Sequence, residues 1–137
     1  VNTDSNSQHC VLGRVVMSHG EETGSHSACV SSSGAYDMVG NVWEWVDGNV
    51  INGMYEKREL PNDGYVIEAD TDGVPVKVAS SSSDVFHNDY FYVKHDGVSG
   101  MLRGGFWNLT DKAGVATVNA TIPTSFVGSA VGFRCAK

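Results

Sequence analysis

A chain of 137 residues with 41% hydrophobic and 18% charged residues is large enough for one domain that buries roughly two-thirds of its unfolded surface, and too apolar to be disordered. Nine Lys and Arg against sixteen Asp and Glu leave a formal charge of −7, which argues against a nucleic-acid partner or an anionic membrane surface. No apolar run is long enough to cross a bilayer, so direct membrane insertion is not expected.

The chain opens Val1-Asn2-Thr3-Asp4, without the charged, apolar and cleavage regions of a signal peptide, and reads as part of a longer protein. The first ten residues are polar and suit an arm. Residues 11–17 (Val-Leu-Gly-Arg-Val-Val-Met) suit a strand, and the Gly, Ser and His content of residues 18–34 suits a loop. Met38, Val42, Trp45 and Val46 then recur at helical spacing behind Gly34 and ahead of Asp47-Gly48, which predicts a short amphipathic helix around residues 40–47. Residues 47–62 look irregular. Apolar residues at 65–69 and 74–78 flank Asp70-Thr71-Asp72-Gly73, a hairpin signal in which Gly73 takes positive φ and Pro75 puts its strand at a sheet edge.

Residues 80–84 form a polar linker, and residues 85–94 are rich in aromatics: Phe86, Tyr90, Phe91 and Tyr92. Met101-Leu102-Arg103 leads as a strand into a glycine pair that marks a bend or a close backbone approach. Residues 132–136 read as a final strand with Phe133 and Cys135 on one face. Short strands, a few helical turns and much irregular chain predict a mixed α+β fold, loop-rich and spanning residues 1–137 as a single domain. Its stability would rest on large anchors, of which Trp43, Trp45, Trp107 and Phe133 are the candidates.

The last third of the chain alternates a regular frame with an irregular filling. The frame is Arg103-Gly104-Gly105, Trp107, Ala113-Gly114-Val115 and Val131-Gly132-Phe133-Arg134-Cys135-Ala136. The filling is Phe106, Asn108, Leu109, Asp111, Asn119, Thr121, Ile122, Phe126, Gly128 and Ala130, which no strand or helix period sorts into faces. Each filling residue is encoded by some codon reached from the asparagine codon AAC by changing only its two adenines. Fixed ends around a miscellaneous middle suit a scaffold that displays a replaceable surface. Exposed aromatics among small polar residues resemble an antibody paratope.

Three cysteines (Cys10, Cys29 and Cys135) lack metal-ligand spacing, and their odd count leaves at least one free thiol. A Cys10–Cys29 bridge is one open pairing. His9, His19, His26, His87 and His95 show no i, i+4 ligand spacing, and Asp70 with Asp72 is better explained by turn chemistry than as a catalytic pair.

Residues 36–45 (Tyr-Asp-Met-Val-Gly-Asn-Val-Trp-Glu-Trp), Leu102-Arg103-Gly104-Gly105 with Trp107, and Gly132-Phe133-Arg134-Cys135-Ala136 together resemble the formylglycine-generating-enzyme (sulfatase-modifying factor) family. The resemblance implies a C-type-lectin-like fold rich in loops. Within the family, residues 103–134 are similar to the variable region of diversity-generating retroelement proteins, where a reverse transcriptase copies a template repeat with adenine mutagenesis. Such proteins are receptor-binding or display proteins of phages, archaeal viruses and some bacteria. The resemblance thus implies a cell-surface protein or glycan ligand, contacted by the ten filling residues. It also implies a place on a virion or cell surface as part of a longer chain, where oligomers would gain avidity. Arg103, Gly104, Gly105, Trp107, Phe133 and Arg134, with Trp43 and Trp45, take the structural roles.

The family's oxidases use a cysteine pair in the C-terminal segment, and residues 103–134 contain no cysteine. No catalytic residue is therefore assigned and an enzyme is not expected. The rivals are a non-diversified structural or adhesion module and, third, a formylglycine-generating oxidase. The family's calcium site would fall on the side chains of Asp37 and Glu44 and the carbonyls of Gly40 and Val42, an all-oxygen set that suits a hard cation. The other reading of the same residues is that Asp37 caps the next turn while Glu44 pairs with an arginine such as Arg103 or Arg134.

Overall fold

A computed structural model describes Cys10 and residues 20–135. Nine strands form one mixed sheet: β1 (Trp43–Ile51), β2 (Met54–Tyr55), β3 (Arg58–Glu59), β4 (Gly64–Ala69), β5 (Pro75–Ala79), β6 (Tyr90–Val93), β7 (Val98–Arg103), β8 (Val118–Ala120) and β9 (Val131–Gly132). Their order is β3-β2-β1-β7-β8-β6-β4-β5, with β9 also on β1. The β6–β8 and β1–β9 pairs are parallel and the rest antiparallel.

The expected α+β class is overturned. The only helical element among the described residues is a three-residue 3₁₀ turn, Thr110–Lys112. The helix expected around 40–47 is instead the start of β1. Gly40 and Asn41 both take positive φ (76° and 59°), which stops a helix before it begins. Beyond them the chain is extended: Trp43 pairs with Val131 of β9, and Glu44, Trp45 and Val46 pair with β7, Trp45 opposite Leu102 and Glu44 opposite Arg103. The helical spacing of Met38, Val42 and Trp45 was coincidental: tertiary pairing overrode a short periodic signal. β1 shifts register between Val46 and Asn49, at Asp47-Gly48, and its extension with β2 and β3 replaces the irregular 47–62 segment.

The hairpin is found as expected. Asp70 Oδ1 accepts from the backbone N–H of Asp72 (3.0 Å) and Val74 (2.8 Å), Gly73 has φ +75°, and β5 lies at the sheet edge. The predicted strand at 11–17 lies outside the described residues. The final strand shrinks to Val131–Gly132, and Phe133 is 78% exposed, so the anchor role assigned to it is corrected. Residues 133–135 belong to no strand, and the ring projects to solvent. Phe133→Ala is accordingly expected to shift stability by under about 1 kcal/mol in thermal unfolding.

One sheet face carries the core: Val50, Val66, Phe91, Val93, Met101, Val118 and Ala120 are buried together with Leu60, Val74 and Ala116. A smaller cluster joins Val39 and Ala113 to Cys10 and Cys29, which form a disulfide with both residues at most 3% exposed.

Candidate ligand-binding surface

The motif residues interlock through the backbone. Gly104 and Gly105 both have φ +83°. A Cβ at Gly104 would stand 2.6 Å from the Met38 carbonyl oxygen, and one at Gly105 would stand 2.6 Å from the Ala113 Cβ. Only glycine meets both demands. Gly40 N–H then donates to the Gly104 carbonyl (2.9 Å) and Trp107 N–H to the Asn41 carbonyl (3.0 Å), so residues 37–41 and 104–107 hold each other. Arg103 extends from β7 to the β4–β5 turn, where it donates to the carbonyls of Asp72 (2.8 Å) and Gly73.

Gly114 has a similar reason. Asp89, 1% exposed, accepts the Ala116 N–H through Oδ2 (2.7 Å), and its carboxylate fills the space that a Cβ on Gly114 would need. Thr117, also buried, accepts the Tyr90 N–H (3.1 Å) through its hydroxyl and donates to the Lys112 carbonyl (2.6 Å). The loop between β7 and β8 is thus fastened at both ends and along its base.

As far as β8, burial follows the alternation of frame and filling except at Arg103, which is half-buried, and Val115, which is 51% exposed. Gly104, Gly105, Trp107, Ala113 and Gly114 are buried, while none of the ten filling residues is. Asn108, Asp111 and Phe126 are exposed, and Phe106, Leu109, Asn119, Thr121, Ile122, Gly128 and Ala130 are half-buried. Two of these have structural contacts: Leu109 packs on the disulfide cluster, and Phe106 stacks on Trp43 (6.3 Å between centroids) and meets Trp107 edge-on (5.3 Å). Ile122 and Ala130 lend carbonyls to Gly100 and Trp43, a backbone role that leaves side-chain identity free. Of the four expected anchors, Trp43 and Trp107 are buried and Trp45 is half-buried.

The filling does not converge on a single point. Register places Asn119 opposite both Tyr92 and Leu102, so it shares the face opposite the core with Trp45 and, through Tyr90 opposite Tyr65, with two more tyrosines. Trp43, Tyr92, Tyr90 and Tyr65 follow one another across this face with centroids 6.3, 4.7 and 5.1 Å apart. Phe106 joins the row at Trp43. Asn119 Oδ1 accepts from both the N–H (2.9 Å) and hydroxyl (2.7 Å) of Thr121, and Asp111 accepts from Asn88 (3.0 Å). Phe126 and Gly128 lie elsewhere, in an open apolar cleft of about 320 Å³ shared with Trp45, Val127, Val131, Gly132 and Phe133.

Tyr90 and Tyr92 stood out in the sequence only as part of an aromatic-rich segment, and Tyr65, Tyr90, Tyr92 and Lys112 were not assigned to the site. The alternation of Tyr90 and Tyr92 with buried Phe91 and Val93 is the period-two signal that could have found the tyrosines. Burial pushes the Tyr92 phenol up to about 12, with further contributions from Tyr90, Asp63, Tyr65 and Asp111. The folded state thus favours the protonated phenol. The resulting stability is complete below about pH 10 and lost as pH rises to about 12. Tyr92→Phe is expected to flatten the alkaline limb of stability against pH, as measured by denaturant unfolding.

At the expected calcium position a guanidinium intervenes. Arg134 Nε donates to both oxygens of Glu44 (2.7 and 2.8 Å), its Nη2 also meets Glu44, and Nη2 donates to the Asp37 carbonyl (3.4 Å). Asp37 Oδ2 accepts the Gly24 N–H (2.8 Å), leaving Oδ1 buried and without a partner as the one feature a cation would satisfy. No cluster of three His, Cys, Asp or Glu suited to a metal occurs among the described residues. Asp37, Gly40, Val42 and Glu44 as arranged therefore do not fit a calcium ion: one of the two carboxylates is already matched by charge. Cys135, the free thiol among the described residues, is exposed. His26 pairs with Glu21 (2.9 Å) and His87 and His95 are exposed, while His9 and His19 lie outside the described residues.

The family model described as the sulfatase-modifying factor enzyme 1-like domain matches residues 4–137, and the match is compatible with a C-type-lectin-like architecture. No curated protein matches the chain.

Proposed function

The chain belongs to the sulfatase-modifying factor enzyme 1-like family, and from that premise we propose that it is a ligand-binding display domain whose C-terminal surface is diversified by retroelement mutagenesis. The ligand is a protein or glycan on a virion's host or a neighbouring cell. The observation that carries this reading is the burial pattern of residues 104–120: Gly104, Gly105, Trp107, Ala113 and Gly114 of the frame are buried, and no filling residue is. The exposed filling positions Asn108, Asp111 and Phe126 have room for substitution, while Gly104, Gly105, Gly114 and Trp107 are each constrained by a named neighbour.

The domain acts without catalysis in this proposal. Cys10 and Cys29 are tied to each other, no cysteine lies between residues 103 and 134, and a single thiol, Cys135, offers no partner for exchange chemistry. The buried disulfide supports assembly in an oxidising compartment and hence display outside the cytosol, where multiple copies would raise avidity.

Sequencing the DNA that flanks codons 103–134 tests the reading. A near-copy with adenines wherever the two differ, beside a reverse-transcriptase gene, is the expected result. A locus with neither would sink the diversification and leave a static adhesion module.

A further inference from the structure

The aromatic row opposite the core has a chemical character that the filling alone does not explain. Tyr65, Tyr90 and Tyr92 lie outside residues 103–134, so every member of a diversified repertoire would present them unchanged, side by side with Asn119 and Phe106. The Lys112 ammonium lies over the Tyr90 ring at 4.2 Å from its centroid and over Tyr65 at 5.5 Å, both within the range at which a ring quadrupole attracts a cation. The surroundings are acidic. Asp111 is exposed beside Lys112, and the carboxylates of Asp63 and Asp111 both act on Tyr92. The whole chain carries −7. A negative, aromatic surface with an ammonium resting on it is built for a positive group.

We infer that Tyr65 and Tyr90 form a constant cation-recognising subsite of the ligand-binding surface, held in the free protein by Lys112 and taken in the complex by a lysine or arginine side chain of a protein ligand. The inference rests on the display reading for its biological setting and narrows the ligand from protein or glycan to a protein with a basic contact residue. Lys112 ends the 3₁₀ turn, and its carbonyl is held by the Thr117 hydroxyl. Its backbone can therefore stay in place while the side chain swings away. The fixed tyrosines supply a shared attraction, and the filling around them selects among basic partners.

The test uses the purified chain with N-acetyl-arginine amide as the probe and a methyl glucoside as the comparator, followed through the tyrosine ring resonances by NMR. Arginine amide is expected to shift the Tyr65 and Tyr90 rings saturably, more weakly as salt is added, while the glucoside leaves them unmoved. Lys112→Met removes the internal competitor and is expected to tighten the binding several-fold. Binding seen only in that variant also supports the subsite. Tyr90→Phe keeps the ring and retains binding, whereas Tyr90→Leu abolishes it; both variants are checked for a native backbone spectrum. Three results would overturn the inference: no shift in either wild type or Lys112→Met, binding that survives Tyr90→Leu, or glucoside acting on these rings where arginine amide does not. None depends on the template repeat, so failure here and failure of the diversification reading are separate results.

Discussion

Gly114→Ala is expected to destabilise the fold by about 3–5 kcal/mol, far beyond the effect of an ordinary loop substitution. The added methyl would occupy the place of the Asp89 carboxylate, which is 1% exposed and bound to the Ala116 N–H at 2.7 Å. Asp89 can yield only by rotating off that bond. The buried Ala116 N–H would then lose its acceptor, on top of the overpacking itself. Denaturant unfolding of Gly114→Ala, Asp89→Ala and the double variant measures the coupling. The overlap predicts that the double variant loses much less than the sum of the singles. Strict additivity would show that the two residues do not meet.

Trp107→Ala is the second large effect, at about 3–5 kcal/mol in thermal or denaturant unfolding. The indole is 6% exposed and packs edge-on against Phe106, and its backbone N–H ties the loop to Asn41. Replacing Asn108, Thr121 or Phe126 is expected to change stability by less than about 1 kcal/mol each, because their side chains are exposed or half-buried. Phe106→Ala should fall between, at about 1–2 kcal/mol, since its ring contacts both Trp43 and Trp107. Equal losses in the two groups would end the idea of a scaffold distinct from its display surface.

The calcium position shows how far residue types alone reach. Asp37 and Glu44 have the chemistry for a hard cation, and so does a pairing of Glu44 with an arginine; both readings are open in one dimension. Arg134, ninety residues from Glu44 in sequence, decides between them by arriving in β9's wake with two nitrogens on one carboxylate. A similar limit applies to Phe133, whose motif setting suggested an anchor. Its exposure follows from the end of β9 one residue earlier.

Local chemistry sufficed where the determinant lies within a few residues. The 70–73 turn, the edge placement of Pro75 and the special backbone at Gly104-Gly105 follow from side chains and φ preferences that act at short range. The burial of Gly104, Gly105, Trp107 and Gly114 was legible for the same reason, while the exposure of Val115 and Phe133 in the same motifs was not. Only the tertiary structure decided the class of residues 43–51, the face shared by Asn119 and the tyrosines, and the partner of Glu44. Each depends on which strands become neighbours: β1 on β7 and β9, β8 between β7 and β6. That pairing is settled by backbone hydrogen bonds and burial between segments dozens of residues apart, which no window along the chain contains.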